Sequence, residues 1–363
     1  MMQRKNKLSF RTVAHYLSLT LVVCTALTSA FIHPFANRSA AEPDTAVAVS
    51  TGVRYLLPGG MPFGIKLETD GVVVIGFTKS SSESASPAEL AGIMRGDVIK
   101  ALDGRAISDA GELAALVEAS GGKAISVTVM RGEKRLTKTL TARLDAEGCY
   151  RAGLKVRDAT AGIGTVTAID PVTMAFVGLG HGICDSDTGV LMPLKKGEVF
   201  DVSVTSIRKG AQGAPGEIKG YFSSSACGTL FSNTAYGICG RFHGKCFDHI
   251  SPVPVAKRDE VTLGKATVIC TLGDNTRREY EIELVKMTNP SGREKNFVIE
   301  VTDPALLAET GGIVQGMSGS PILQNGKIIG AVTHVTVGDP TRGYGILIEN
   351  MLNAANNPMA KAA

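Results

Sequence analysis

Apolar and polar positions divide the chain into three stretches with different periods. The first is Tyr16–Ile32, 17 positions without a charged side chain. It follows Met1–His15, which carries Arg4, Lys5, Lys7 and Arg11 and no acid. That order predicts a membrane anchor or export signal, with the basic end kept inside and everything after it exported. On this reading 1–15 is a basic cytoplasmic N-terminus, 16–32 the membrane or signal segment, and 33–54 a linker. Within the linker, Ala36–Gly52 is small and polar with no periodic apolar pattern.

The second stretch mixes both periods. Gly71–Phe77 reads as a strand, and Ser86-Pro87-Ala88-Glu89 as a capping box opening a short helix. A strand over Val98–Leu102 follows. Asp109 and Glu112 start a second helix, with Leu113, Leu116 and Val117 on one face, and Gly121-Gly122 ends it. Ile125–Met130 and Leu136–Leu144 alternate as a hairpin around Arg131-Gly132. This order resembles a PDZ domain of the type attached to bacterial proteases, placed at 55–144. The resemblance implies a peptide site at Phe63-Gly64-Ile65. The amides of Gly64 and Ile65 would cap a peptide carboxylate, and the adjacent strand would take the peptide as an added strand, in cis or in trans.

From about residue 145 the helix signals thin out. Short β-type runs recur at Ile163–Ile169, Met174–Leu179, Val199–Ile207, Ala266–Leu272, Tyr280–Val285, Asn296–Val301, Lys327–Val335 and Gly343–Ile348. Turn residues separate most of them, which suggests a barrel or sandwich over 145–363. Glu349–Asn356 reads as a short closing helix. Composition agrees. Forty-two glycines in 363 residues fit many tight turns, and 44% hydrophobic with 20% charged residues excludes a disordered chain. A net charge of +4 without long basic runs gives no reason to expect a nucleic-acid partner.

Six cysteines lie beyond the membrane segment: Cys149, Cys184, Cys227, Cys239, Cys246 and Cys270. An exported domain permits disulfides among them, and the sequence does not choose a pairing. Cys239, His243, Cys246 and His249 are all ligand types, but their spacing matches no standard zinc module, so loop thiols or a local disulfide are expected there and no metal or cofactor.

Two segments carry the chemistry. In Gly178-Leu179-Gly180-His181-Gly182 a histidine between glycines ends a strand and is easily presented to a cleft. In Gly316-Met317-Ser318-Gly319-Ser320-Pro321 a serine on a tight turn suits an activated nucleophile. The amides of Gly316 and Ser318 would converge there on one oxyanion. The serine follows the histidine by 137 positions. That is the order of chymotrypsin-like proteases, with His181 as the base that Ser318 needs at neutral pH. His334 lies on the strand after the nucleophile, a possible wall of the pocket for the residue before the scissile bond. There its imidazole would favour a polar or acidic side chain such as Gln or Glu; the competing reading is a structural histidine bonded to the backbone.

The blocks "GLGHGICDSDTG" and "VTDPALLAETGGIVQGMSGSPILQNGKIIGAVTHVTVGDPTRGYGI" resemble the SpoIVB family of serine peptidases. The likeness runs through membrane segment, PDZ domain and peptidase domain. It implies a mainly β chain with a chymotrypsin-like double β-barrel, His181 as base, Ser318 as nucleophile and Asp303 as acid. Asp303-Pro304 also reads as the start of a helical turn, and Asp185, Asp187, Asp201 and Asp259 are the other candidates for the acid. The family further implies a protease of spore formation, acting in the space between forespore and mother-cell membranes. Its substrates there are a membrane-associated regulator of an intramembrane protease, which processes a late sigma factor, and its own N-terminal region. The rival readings are a non-catalytic PDZ adaptor and a general envelope-stress PDZ protease.

Overall fold

The strand Pro62–Phe77 alternates over its first half: Phe63, Ile65 and Leu67 are buried, while Lys66 and Glu68 are exposed. Past Gly71 every position from Val72 to Val74 is fully buried. Period 2 explains both patterns. The first half has one wet face. The second half lies between two cores, with Val73 in the same cluster as Phe63 and Leu67, and Val72 and Val74 in a separate one.

The structure is a computed structural model that describes residues 53–79, 85–289, 292, 294–336 and 338–356. The expected cytoplasmic end, membrane segment and nearly all of the linker lie outside these residues. Among the described residues no helix is long and apolar enough to cross a membrane.

The chain is mainly β, and its strands build two closed barrels and a PDZ unit. The first barrel runs Leu154–Ile169, Ala175–Gly178, Gly237–Phe242, Glu217–Thr234, Leu194–Arg208 and Pro62–Phe77, which pairs back onto Leu154–Ile169. Phe63, Phe176, Phe242 and Phe247 fill it, with successive ring centroids 5.7, 4.6 and 5.4 Å apart. The second barrel closes through Gly264–Thr271, Arg277–Met287, Phe297–Val301, Asp339–Leu347, Lys327–Thr336 and Pro321–Gln324. Phe297, Ile282, Met317 and Val332 are buried in its core. The closing helix Ile348–Asn356 places Met351 and Leu352 in a cluster with Val177 of the first barrel and Ile328 and Ala331 of the second.

The PDZ unit contains both expected helices. Ser86 Oγ accepts from Glu89 N at 3.2 Å and the Glu89 carboxylate accepts from Ser86 N at 2.8 Å, the reciprocal capping box. Asp109 Oδ1 accepts from Glu112 N at 2.8 Å and opens Ala110–Ala119. Its limits, however, differ from 55–144. Tyr55–Pro58 and the first half of Pro62–Phe77 belong to the first barrel, and the unit's last strand is the start of Leu154–Ile169, which pairs Phe77 with Leu154 and Val74 with Val156. The PDZ unit is therefore an insertion between two neighbouring barrel strands rather than a domain in front of them.

Excision tests this arrangement. Deleting 55–144 removes barrel strands and is expected to give an insoluble chain. Deleting 71–156, with a short turn joining Asp70 to Arg157, should leave the barrels foldable, because Glu68 and Ala159 are already cross-strand partners. Cooperative thermal unfolding of the second variant but not the first is the expected result.

Candidate active site

The loop that carries Ser318 is built around two glycines. Gly316 has φ +100 and Gly319 φ +97, backbone conformations that side chains disfavour. A Cβ at Gly319 would lie 2.0 Å from Thr165 O and 2.5 Å from Leu179 N, so only glycine lets this turn press against the first barrel. Met317 between them is fully buried and anchors the loop in the second core. The turn leaves Ser318 facing a cleft of about 400 Å³ between the barrels. Gly316 and Ser318 both line the cleft, and among the described residues neither amide donates to a protein acceptor. That is the state an oxyanion site requires before substrate arrives.

His181 lines the same cleft. Leu179 and Gly180 before it both have positive φ, 66° and 71°, and turn the chain sharply out of strand Ala175–Gly178. The Leu179 side chain is buried, which holds its uncommon conformation. After the histidine, Asn233 fixes the loop: its Oδ1 accepts from Ile183 N at 2.8 Å, and its Nδ2 donates to Ile183 O at 2.8 Å and Met192 O at 2.9 Å. His181 Nδ1 lies 2.9 Å from Gly182 O. A carbonyl only accepts, so Nδ1 carries the proton and Nε2 is left with its lone pair free to accept one. Burial lowers the His181 pKa below 6.5, and the Gly182 bond offsets part of that. Ser318 Oγ donates to Thr333 O at 2.7 Å, so the hydroxyl rests on the backbone and must rotate to reach the imidazole.

The structure does not bring Asp303 to this site. Its Oδ1 accepts from Ala305 N at 2.8 Å and Leu306 N at 3.1 Å, as N-cap of helix Pro304–Thr310, and its Oδ2 accepts from Glu281 N at 3.2 Å. Both oxygens are spent on backbone donors, so the helix-start reading of Asp303-Pro304 accounts for the residue. Asp185 is nearer in sequence to His181 but serves its own turn. It accepts from Thr188 N and Thr188 Oγ1, both at 2.8 Å, and pairs with Arg157. Among the described residues no Asp or Glu lines the cleft.

His334 is in the cleft, its ring centroid 5.0 Å from that of His181. Desolvation, then the neighbouring His181 and Lys295, push its pKa down to about 4. The neutral ring still carries one N–H, a hydrogen-bond donor for a polar side chain in the cleft.

Phe63, Gly64 and Ile65 are not a peptide site. They are paired on both sides, with Gly164, Ile163 and Gly162 on one strand and Asp201, Phe200 and Val199 on the other. Phe63 and Ile65 point into the first core. With no free edge, the segment cannot accept an added strand. The PDZ unit's groove lies between helix Ala110–Ala119 and Tyr150–Val156, a cavity of about 720 Å³ lined by Leu113, Val117, Leu154 and Val156, with Arg143, Arg151, Asp145 and Glu147 also in its lining. Of the metal-type residues, Cys239 Sγ contacts Ser232 Oγ at 2.7 Å, and His243 Nε2 contacts Thr229 Oγ1 at 3.2 Å.

Sequence reasoning missed Asn233, Thr165 and Thr167. Thr165 Oγ1 donates to Gly316 O and Thr167 Oγ1 to Gly319 O, each at 2.7 Å. Threonine is an ordinary strand former, so two of them in Gly164-Thr165-Val166-Thr167 give no signal beyond β propensity.

Residues 148–352 match the SpoIVB peptidase S55 family, and residues 59–141 match the PDZ domain family. HhoA of Synechocystis sp., assigned as a serine protease, is 44% identical over 79 residues, 21% of this chain and 19% of HhoA. The chain thus spans about a fifth of the length of that curated relative. Among solved structures, the active form of the Mycobacterium tuberculosis protease Rv3671c is 15% identical with a TM-score of 0.30, over 56% of this chain and 75% of that one. The HtrA-type protease AlgW with a tripeptide is 11% identical with a TM-score of 0.33, over 54% and 55% of the two chains. The PDZ domain of an SdrC-like protein from Listeria monocytogenes is 22% identical with a TM-score of 0.21, over 24% and 87%.

Two mutational outcomes follow from this geometry. Ser318→Ala is expected to abolish labelling by a fluorophosphonate probe, whereas Ser320→Ala should label like wild type. The Ser320 hydroxyl is buried without a hydrogen-bond partner, so its removal should leave stability unchanged or raised. Labelling of folded Ser318→Ala would refute the nucleophile.

Asp303→Asn separates cap from acid. Its amide oxygen can still cap the helix, but Nδ2 opposes Glu281 N. Stability should fall by about 1 kcal/mol with kcat nearly unchanged. A loss near the ~10⁴-fold that a triad acid→amide change brings would restore Asp303 to the acid role.

Proposed function

The chain belongs to the SpoIVB peptidase S55 family and is a serine endopeptidase carrying a PDZ domain, and from that premise we propose that Ser318 is its nucleophile and His181 its base, on a chymotrypsin-like pair of barrels. The observation that carries this reading is the convergence of both side chains, with two uncommitted amides, on one cleft. After rotation, the Ser318 hydroxyl gives its proton to His181 Nε2 as oxygen attacks the scissile carbonyl. Oxyanion charge then develops against the Gly316 and Ser318 amides, and the imidazolium returns the proton to the leaving amine. The Gly182 carbonyl holds Nδ1–H and so fixes the ring's tautomer, the orienting role a carboxylate fills elsewhere.

The substrate is a protein segment in extended form, and the cleft's lining names its chemistry. Ile65, Ile163, Ile313, Val314 and Val335 supply apolar walls, Gln315, Thr333 and neutral His334 the polar groups, and among the described residues no charged side chain lines it. A charged residue before the scissile bond would lose water there without gaining a partner, so an uncharged one is preferred. The PDZ groove at Ala110–Ala119 receives a peptide, whose apolar side chains suit Leu113, Val117, Leu154 and Val156.

In the cell we assign the protein to spore formation, tethered by Tyr16–Ile32 with its catalytic part outside the cytoplasm. It cuts a membrane-associated regulator of an intramembrane protease and its own linker. Support comes from the family match and from the basic-then-apolar N-terminus.

N-terminal sequencing of the released wild-type protein should begin between Ala36 and about Arg54, after an uncharged residue, and Ser318→Ala should release nothing. A start beyond Arg54, or release from Ser318→Ala, would count against self-cleavage in the linker.

A further inference from the structure

The amide of Gly316 belongs to the peptide unit Gln315–Gly316. A trans peptide points its N–H opposite to its C=O. Whatever holds Gln315 O therefore aims the Gly316 N–H. Gln315 O accepts from Ile218 N at 2.8 Å, and Gln315 N donates to Gly216 O at 2.9 Å. Both partners sit where the tip of the first barrel's long hairpin, Leu194–Arg208 with Glu217–Thr234, reaches across to the second barrel.

The next peptide unit is held from the other side. Thr165 Oγ1 donates to Gly316 O at 2.7 Å, and Thr165 N donates to Ser318 O at 2.9 Å. Thr165 is 2% exposed, so its hydroxyl has no water to turn to. Gly316, lacking a Cβ and set at φ +100, is the joint between the two units. Rotation at this joint would turn the amide out of the cleft, and it would have to break the bond at Ile218 or the bond at Thr165.

We propose that Thr165 and the hairpin tip at Gly216–Ile218 are positioning elements that hold the Gln315–Gly316 peptide with its N–H facing the cleft. Neither touches the substrate. The first barrel thereby supplies both the base and the two grips that keep the second barrel's oxyanion site assembled. This rests on Ser318 as nucleophile, a reading that the Ser318→Ala labelling experiment tests separately.

The experiment measures kcat, KM and the affinity of a peptide boronic acid in the exported chain, for Thr165→Val, Thr165→Ser and Gly216→Ala. Valine keeps the branched shape and removes the hydroxyl; serine restores it. A Cβ at Gly216 would meet Arg208 O at 2.4 Å and Gly210 N at 2.5 Å and displace the tip. Loss of one oxyanion donor lowers kcat by about 10²–10³-fold elsewhere, so misaiming it should lower kcat by about tenfold or more. Thr165→Val and Gly216→Ala should both do so, with KM within about twofold and boronate affinity falling in step with kcat. Thr165→Ser should recover most of both. A folded Thr165→Val or Gly216→Ala with unchanged kcat and boronate affinity overturns the proposal. So does a Thr165→Ser as impaired as the valine variant, or failure of both Thr165→Val and Gly216→Ala to fold, since the groups would then hold the barrels rather than the amide. If Thr165→Val alone fails to fold, Gly216→Ala decides.

Discussion

The strand Leu154–Ile169 is the constraint on which the other parts depend. Its 16 residues span roughly 50 Å at about 3.3 Å each. It begins at the edge of the PDZ groove with Leu154 and Val156 and ends behind the nucleophile loop with Thr165 and Thr167. Pro62–Phe77 pairs with it from Leu154 to Thr165, and only one large irregularity interrupts the ladder, where Glu68 and Val73 face Ala159 and Arg157. The extra residues, with Gly71 at φ +85, bulge out at the seam where barrel becomes PDZ unit. Bulges re-aim a strand without ending it, which is how one pair of strands serves two cores.

Charge reinforces the same seam. Arg157, one residue past the groove, pairs with Asp185 and Asp187 in the turn that follows His181, and Arg95 Nη2 donates to Asp187 O at 2.8 Å. Burial works against the Asp185 carboxylate; the Thr188 bonds and Arg157 outweigh it and hold its pKa below the ordinary value. The group is thus ionised at neutral pH, as the pairing requires. Removing one partner of such a buried pair is far more damaging than replacing both. The turn carrying the base and the strand carrying the groove are accordingly fixed to each other, and the carboxylate nearest the base in sequence is committed to that joint.

The sequence was legible where chemistry is local. Capping boxes, the glycines around Ser318 and the glycine-flanked His181 are short-range patterns whose physics does not depend on the rest of the chain. It was opaque where a residue's role depends on which strand lies beside it. Phe63-Gly64-Ile65 has the composition of a carboxylate loop but lies between two neighbours, while the groove edge at Leu154–Val156 falls beyond the 59–141 match. Glu217–Thr234 carries exposed Ser223, Ser224 and Ser225 at mid-length, so its period-2 signal is lost and the region reads as a polar loop. Asp303 was ambiguous for a different reason. Asp before Pro is both a helix start and a plausible acid, and only its three backbone donors decide between the two.

The absence of a carboxylate from the cleft among the described residues changes what the proposed pair, Ser318 and His181, can do. The Gly182 carbonyl selects the right tautomer of His181, yet it is a dipole and cannot balance the full charge of an imidazolium as a carboxylate does. Desolvation, which already lowers the His181 pKa, makes that charged state dearer still. Transition-state stabilisation must therefore come disproportionately from the oxyanion amides and from binding an extended substrate in the cleft. That shifts the demand onto geometry: the Gly316 amide must be aimed before the substrate arrives, because no strong acid–base pair compensates for a poorly placed donor. The loop that supplies it is gripped on both flanks by the first barrel, and one of those grips is on the strand that starts at the PDZ groove.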